Sequence, residues 1–262
     1  MKGIYNLLEV IRKLRDPKDG CPWDIKQTSK SIAKCTIEEA YEVVDAIEHG
    51  DMNDLCDELG DLLLQVVFHS SIAEEAGDFN FNDVAQKNAE KMIRRHPHIF
   101  SENLKNLKID IDTVKSNWES IKEIEREKNT DKSALAAVAK ALPSLKRAEK
   151  LGKRASKVGF DWPNQEGVRN KIQEELSELE EAIGKRNHKQ MEEEFGDLVF
   201  SVVNLARHNG IDPERALTVS NKKFEKRFRH MENAINRNGK NINECDLTDL
   251  EKYWRDSKEL VG

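Results

Sequence analysis

The feature that most restricts this chain is that it repeats itself. Shifted by 136 residues (174 − 38), EEAYEVVDAI (38–47) falls on EELSELEEAI (174–183). The same shift lays DELGDLLLQVV (57–67) on EEFGDLVFSVV (193–203), and Trp118 and Lys122 of WESIK on Trp254 and Lys258 of WRDSK. Both halves therefore read EExxE, a gap of 15 residues, ExxD and, much later, WxxxK. Helical low complexity produces one such match by coincidence. Three segments at one constant offset indicate a tandem duplication, so one small fold must be made twice. The charged run EIEREKNTDKSA (123–134) has no sustained apolar face. It places the boundary near residue 130 and divides the chain into 1–128 and 129–262.

Within each half the dominant periodicity is helical. Proline (6) and glycine (13) are scarce among 262 residues and period-two alternation does not persist, so strands are not expected. The pattern predicts helices over roughly 3–15, 28–49, 52–76, 81–95 and 113–127 in the first half. In the second it predicts them over roughly 134–157, 165–186, 188–209, 213–237 and 247–259. Gly50, Gly77 and Gly210 stand where helix C-termini are expected. The loops GCPWD (20–24) and GFDWPN (159–164) precede the acidic helix of each half. Short connections favour antiparallel neighbours, so the expected fold class is all-α, two tandem helical-bundle domains.

Charge and cysteine usage exclude several classes. A net charge of −6 argues against a general binder of nucleic acid or anionic membranes. Cys21, Cys35, Cys56 and Cys245 are scattered without a CxxC pair, which reads as reduced thiols and not a disulfide frame or zinc site. The start MKGIYNLLEVIRKLRD is an amphipathic helix without the apolar core of a signal peptide, and the longest apolar run is interrupted by Gln65. A soluble, cytoplasmic protein with no membrane span is expected.

The helices carry acid in unusual places. Ile37, Ala40, Tyr41, Val44 and Ile47 share one face, opposite Glu38, Glu39, Glu42 and Asp45. In the next segment Leu55, Leu59, Leu62, Leu63, Leu64, Val66, Val67 and Phe68 cover nearly the whole circumference. They leave a strip of Asp57, Glu58, Asp61 and Gln65, which is expected to be at least partly buried; a buried carboxylate needs a partner or a metal. In the second copy Glu174, Glu175 and Glu178 lie within one turn, and Glu194 and Asp197 repeat the three-residue spacing on the following helix. The first copy has Glu39, Glu42, Glu58 and Asp61 in the corresponding places. Antiparallel packing would set the strips face to face, where like charges repel, more strongly once desolvated. A hard cation would remove that repulsion, and all-oxygen ligation without a neighbouring His or Cys suits Mg²⁺ or Mn²⁺.

Competing readings stand beside this one. EExxE in so acidic a chain also reads as a solvated face. Gly60 and Gly196 occupy the same mid-helix spot at a cost of about 1 kcal/mol relative to Ala, which either close helix packing or a functional demand explains. A di-iron bundle requires Glu-x-x-His, and none of the seven histidines has a glutamate three positions before it. In SNKKFEKRFRH (220–230), Lys223 and Arg227 are four apart on one face, and the repeat aligns them with Lys87 and Lys91. Cations facing a metal-loaded acidic cluster would suit a polyphosphate, although a solvated basic stripe gives the same pattern. Trp254 and Lys258 could stack on a base and touch a phosphate; alone, Trp254 also reads as core.

CPWD (21–24), TIEEAYEVVDAI, ELGDLLLQVVFH, RRHPHIF (94–100), VGFDW (158–162), EEEFGDLVFSVVNLARH (192–208) and NKKFEKRFR together resemble the MazG family of nucleoside triphosphate pyrophosphohydrolases. The resemblance spans nearly the whole chain in the two-domain arrangement. It implies an all-α fold, a homodimer, and Mg²⁺-dependent hydrolysis of nucleoside triphosphates to monophosphate and pyrophosphate, linked to nucleotide-pool clean-up and to lowering the stringent-response alarmone. It puts the metal carboxylates on Glu175, Glu178, Glu194 and Asp197, with Glu174 adjacent. Nucleotide contacts fall on Lys171, Lys223, Arg227 and Trp254, with Lys258 beside them. The C-terminal copy is commonly the catalytic one in such proteins, but Glu39, Glu42, Glu58 and Asp61 keep a second metal site open in the first.

The mechanism implied is in-line attack of a metal-activated water at phosphorus, the α-phosphorus being favoured, with Lys223 and Arg227 stabilising the departing pyrophosphate. Glu174 is assigned the water's proton. A non-catalytic nucleotide sensor built on the same bundle is the alternative, and a purely structural helical repeat is a third. With 6% aromatic residues each half has a modest core, so burial of a helix face against a second chain is expected.

Overall fold

The computed structural model describes residues 2–101, 110–127 and 130–261, and every regular element among them is helical. In order these are α1 (Lys2–Leu14), α2 (Pro22–Lys26), α3 (Ser29–His49), α4 (Met52–Glu75), α5 (Phe81–Arg95), α6 (Pro97–Phe100) and α7 (Ile111–Glu127). Then follow α8 (Ser144–Ser156), α9 (Gln165–Gly184), α10 (His188–His208), α11 (Pro213–Arg237), a 3-10 turn (Ile242–Glu244) and α12 (Leu247–Val261). The chain divides into two compact units, Met1–Glu125 and Arg126–Gly262. Strand-free, tandem and all-α, it has the expected fold class.

The N-terminal unit is built on the antiparallel pair α3–α4, with α1 laid across α4. Thr28 accepts from the Ser31 amide to start α3, and Gly50 ends it in the left-handed region at φ +78°. Ile11, Ile32, Val67 and Phe68 form the core, with Leu7, Leu8, Leu64 and Phe81 packed against it. Arg15, almost fully buried, fastens this unit. It forks onto Glu75 of α4 with two 2.6 Å bonds and donates to the carbonyl of Asp24 at 2.6 Å. One cation just after α1 therefore ties α2, which the CPWD segment forms, to α4.

The C-terminal unit repeats the plan with α9–α10 as the pair and α8 against α10; α11 packs chiefly on α12. Its loop tie runs in the other direction. Asp161 of the GFDW loop accepts from Arg207 of α10 at 2.8 and 2.6 Å and pairs with His208 at 2.9 Å. Two glycines permit the close approach: a Cβ on Gly152 would meet Asn204 Oδ1 at 2.5 Å, and one on Gly167 would meet Trp162 Cδ1 at 2.3 Å. On the far side, His230 Nδ1 meets the fully buried Ser257 at 3.0 Å. The Ser257 hydroxyl donates to the Tyr253 carbonyl, which leaves His230 to donate. This bond fixes α12 on α11.

Three expectations change. The helix expected over 134–157 begins at Ser144, because Pro143 blocks N-terminal continuation and Ala137 takes a left-handed φ of +61°. The apolar face of α3 does not point inward: Ile37, Tyr41, Val44 and Ile47 are about half exposed, while Ile32 and Ala46 are buried. A helix pair has only one seam, and α3 spends it on the side that carries Glu39. Thus the acidic strips lie along an open two-helix seam and not inside a closed bundle: Glu175 is buried and Glu58 half-buried, but Asp61 and Asp197 are exposed. Finally, a Cβ on Gly60 or Gly196 would meet nothing within 4 Å, so packing inside this chain accounts for neither.

Candidate active site

The acidic helices meet as their spacing requires. One carboxylate oxygen each of Glu175, Glu194 and Asp197 lies within 4.8 Å of the others, from α9 and α10. Glu178 stands just outside this trio but within its field. Desolvation raises its pKa first, and the charges of Glu194 and Glu175 raise it further. Glu175, 4% exposed, is the buried member. Its partner is Lys171 one turn earlier, whose ammonium bridges Glu174 at 2.8 Å and Glu175 at 2.7 Å; these bonds hold the lysine pKa well above its ordinary value. The seam thus gathers four carboxylates against one lysine. Three or four oxygens this close, without sulfur or imidazole, match a hard divalent cation.

The first copy assembles a related group. Glu39, Glu42 and Glu58 converge within 4.8 Å, with Asp61 outside the trio but close enough to raise the pKa values of both Glu39 and Glu58. Desolvation is the largest cause in each case, and Gln65 donates to Glu39 at 3.3 Å. Where the second copy has Lys171, the first has Cys35 (171 − 136).

Comparison with known proteins now adds to this geometry. A family model described as the MazG nucleotide pyrophosphohydrolase domain matches residues 27–100 and 164–232, once in each half. The chain is 44% identical over 260 residues to the nucleoside triphosphate pyrophosphohydrolase of Escherichia coli K12, with 98% of each chain covered. The chain belongs to the MazG family. It is also 42% identical to the nucleoside triphosphate pyrophosphohydrolase/pyrophosphatase MazG of Thermotoga maritima, over 96% of this chain and 94% of that one. A crystal structure of a mazG-related protein from the same organism aligns with 45% of this chain and 98% of that chain, at 28% identity and a TM-score of 0.38.

The remaining MazG candidates lie on α11 and α12. Arg227 is half-buried and its Nε has no hydrogen-bond partner among the described residues. Lys223, one turn earlier, is exposed. Trp254 lies against Phe224 of α11, ring centroids 5.2 Å apart, and Lys258 Nζ sits 5.8 Å from the indole centre. The described contacts join Lys171 to the carboxylate trio but do not join Lys223, Arg227, Trp254 or Lys258 to it. Sequence reasoning passed over Phe224; its signal was an aromatic inside the basic run KKFEKRF, where a solvated stripe has no use for one.

Proposed function

We propose that the chain hydrolyses nucleoside triphosphates to monophosphate and pyrophosphate, using Mg²⁺ held by the second copy. The observation that carries this reading is the convergence of Glu175, Glu194 and Asp197, with Glu178 beside them, around a buried glutamate. The names of the relatives support the reaction. Bound there, Mg²⁺ would neutralise the triphosphate and make a coordinated water more acidic; Mn²⁺ has the same ligand chemistry.

The chain's own groups have separable duties. Lys171 neutralises Glu175 while no cation is present and is freed to meet phosphate oxygen when one binds. Lys223 and Arg227 bind the leaving pyrophosphate, and Trp254 and Lys258 lie on the nucleoside side. Glu174, held at one oxygen by Lys171, accepts the water's proton. Glu39, Glu42, Glu58 and Asp61 form a second cation site that lacks the lysine. The cellular role is control of the nucleotide pool in the cytoplasm, and no helix among the described residues is long and apolar enough to cross a membrane.

The working form is a homodimer. The half-exposed stripe Ile37, Tyr41, Val44 and Ile47 is the face a second copy would cover. Light scattering near 30 kDa, the mass of one chain, would sink the dimer.

Product analysis tests the reaction. Incubated with each nucleotide and Mg²⁺, the protein should yield monophosphate and pyrophosphate, with kcat down about a hundred-fold or more in Asp197→Asn and within two-fold of wild type in Asp61→Asn. Orthophosphate alone would refute the bond assignment. Nucleotide-dependent thermal stabilisation without product would favour a sensor, and loss in Asp61→Asn instead would move the site to the first copy.

A further inference from the structure

The segment RRHPHIF (94–100) is a motif that the reaction leaves without a duty. Its first three residues all meet α7. Arg94 donates through Nε and Nη2 to one oxygen of Glu125, at 2.9 and 2.6 Å, and Arg95 does the same to the other, at 3.1 and 2.5 Å. The two guanidinium groups hold the Glu125 carboxyl at about 2, far below its ordinary value, with Arg95 contributing most. Arg95 also lies 5.5 Å from the centre of the Trp118 ring, and His96 meets that ring edge-on at 4.8 Å. His96 is itself held by the Met92 carbonyl, to which its Nδ1 donates at 2.7 Å.

This clamp stands where burial is thin. Val114, Trp118, Ile121 and Glu125, spaced four, three and four apart, form one face of α7. All four are only half-buried, and no described side chain of α7 is buried. The second copy fastens its last helix differently. There α12 sinks Ser257 completely into its contact with α11, where Met231 and Ile235 are also buried, and His230 bonds to Ser257 at 3.0 Å. At the shift of 136, His230 and Ser257 fall on Arg94 and Ile121. A neutral bond in a dry seam thus has an ion clamp in a wetter one as its counterpart. Apolar burial holds a helix at any salt concentration, whereas an ion pair with an exposed member is screened. The Arg94 side chain is 55% exposed, against 18% for Arg95 and 22% for Glu125, so Arg95 is the stronger half of the clamp. Glu125 is also the last residue of the first compact unit, so the clamp sits where the first copy ends.

We propose that α7 is a strap, closed over the end of α5 by Glu125, and that the first copy opens by releasing it while the α3–α4 core stays folded. Closed, the strap keeps Arg95, His96 and Trp118 against one another. Open, it presents two guanidinium groups and an indole to solvent at the edge of the first copy. A segment with few buried apolar groups opens at a lower free energy than a core helix pair. A carboxylate shared by two arginines gives that opening a single point of control.

Amide hydrogen exchange on the full-length protein tests this, together with the indole NMR signal of Trp118, assigned by Trp118→Phe. Glu125→Gln keeps the shape of the side chain and removes its charge. Exchange across 111–125 should quicken about ten-fold or more, and the Trp118 signal should shift. Exchange in α3, α4 and α12 should stay within about two-fold of wild type. Arg94→Gln combined with Arg95→Gln should act alike and add nothing to Glu125→Gln. Raising salt from roughly 0.1 M to roughly 1 M should quicken exchange in wild-type α7 but not quicken it further in Glu125→Gln. Unchanged α7 exchange in the Gln variant overturns the strap. So does equal quickening in α3 and α4, or loss of the folded first unit, because either would make α7 part of the core. Salt that leaves wild-type α7 unaffected overturns it as well.

Discussion

The two copies differ less in their acid than in what neutralises it. Each sets three carboxylates within 4.8 Å across a helix pair and keeps a fourth nearby. In the second copy a lysine on the preceding turn grips the buried glutamate, and of that group the pKa of Glu178 is raised; in the first, a cysteine stands there and both Glu39 and Glu58 are raised. Their tryptophans diverge in the same way. Trp254 supports an exposed phenylalanine, whereas Trp118 is wrapped by Arg95 and His96, and Arg95 is itself tied with Arg94 to Glu125. Duplication kept the cluster; what was lost or gained is the apparatus around it. The two copies therefore differ in the partners of the cluster and not in the cluster itself.

Exchanging the partners should have the largest effect. Lys171→Met should lower kcat/KM about ten-fold or more and lower the metal-free melting midpoint by several degrees, because Glu175 is left buried without a counter-charge. Mg²⁺ should recover more of that midpoint in the variant than in wild type. Cys35→Lys should raise the metal-free midpoint by about 1–4 °C without adding pyrophosphate release to Asp197→Asn. Release regained in that double variant would show that the lysine alone separates the copies.

The loop ties offer a second, smaller contrast, read by calorimetry. Glu75→Gln leaves the buried Arg15 only carbonyl acceptors and should cost the N-terminal unit about 5 °C or more. Asp161→Asn should cost the C-terminal unit less, since Asn204 still accepts from Arg207 at 3.1 Å.

The smallest effect is in pH. Arg207, then His208, depress the Asp161 pKa from 3.8 to about 2, so the tie is present above the unfolded value and is lost as pH falls from about 4 towards 2. The raised carboxylates Glu39, Glu58 and Glu178 act with the opposite sign: proton uptake in the folded state removes first the desolvation of the charge and then the repulsion between neighbours. Without metal, the midpoint should rise modestly as pH falls from 7 towards 5 and drop below 4. A monotonic fall from pH 7 would show that folding does not hold these carboxyls above their unfolded values.

Much of this is legible in the sequence. The helices, their left-handed glycine ends, the repeat and the facing of the ExxD strips depend on spacings of three and four residues, which a sequence displays directly. The unread parts depend on distance along the chain. Arg15 reaches Glu75 across 60 residues and Arg207 reaches Asp161 across 46, and neither pair has a local signature. The spacing within α3 separates an apolar side from an acidic one. Spacing within one helix does not say which side the chain itself covers, because either side can form the seam with α4.

That uncovered stripe ties the protein's behaviour to how much of it is present. If a second copy covers Ile37, Tyr41, Val44 and Ile47, folding and association become one equilibrium and the melting midpoint climbs with protein concentration. Dilution then acts as a mild denaturant, and a cell that halves its stock of this chain would lose more than half of its working enzyme.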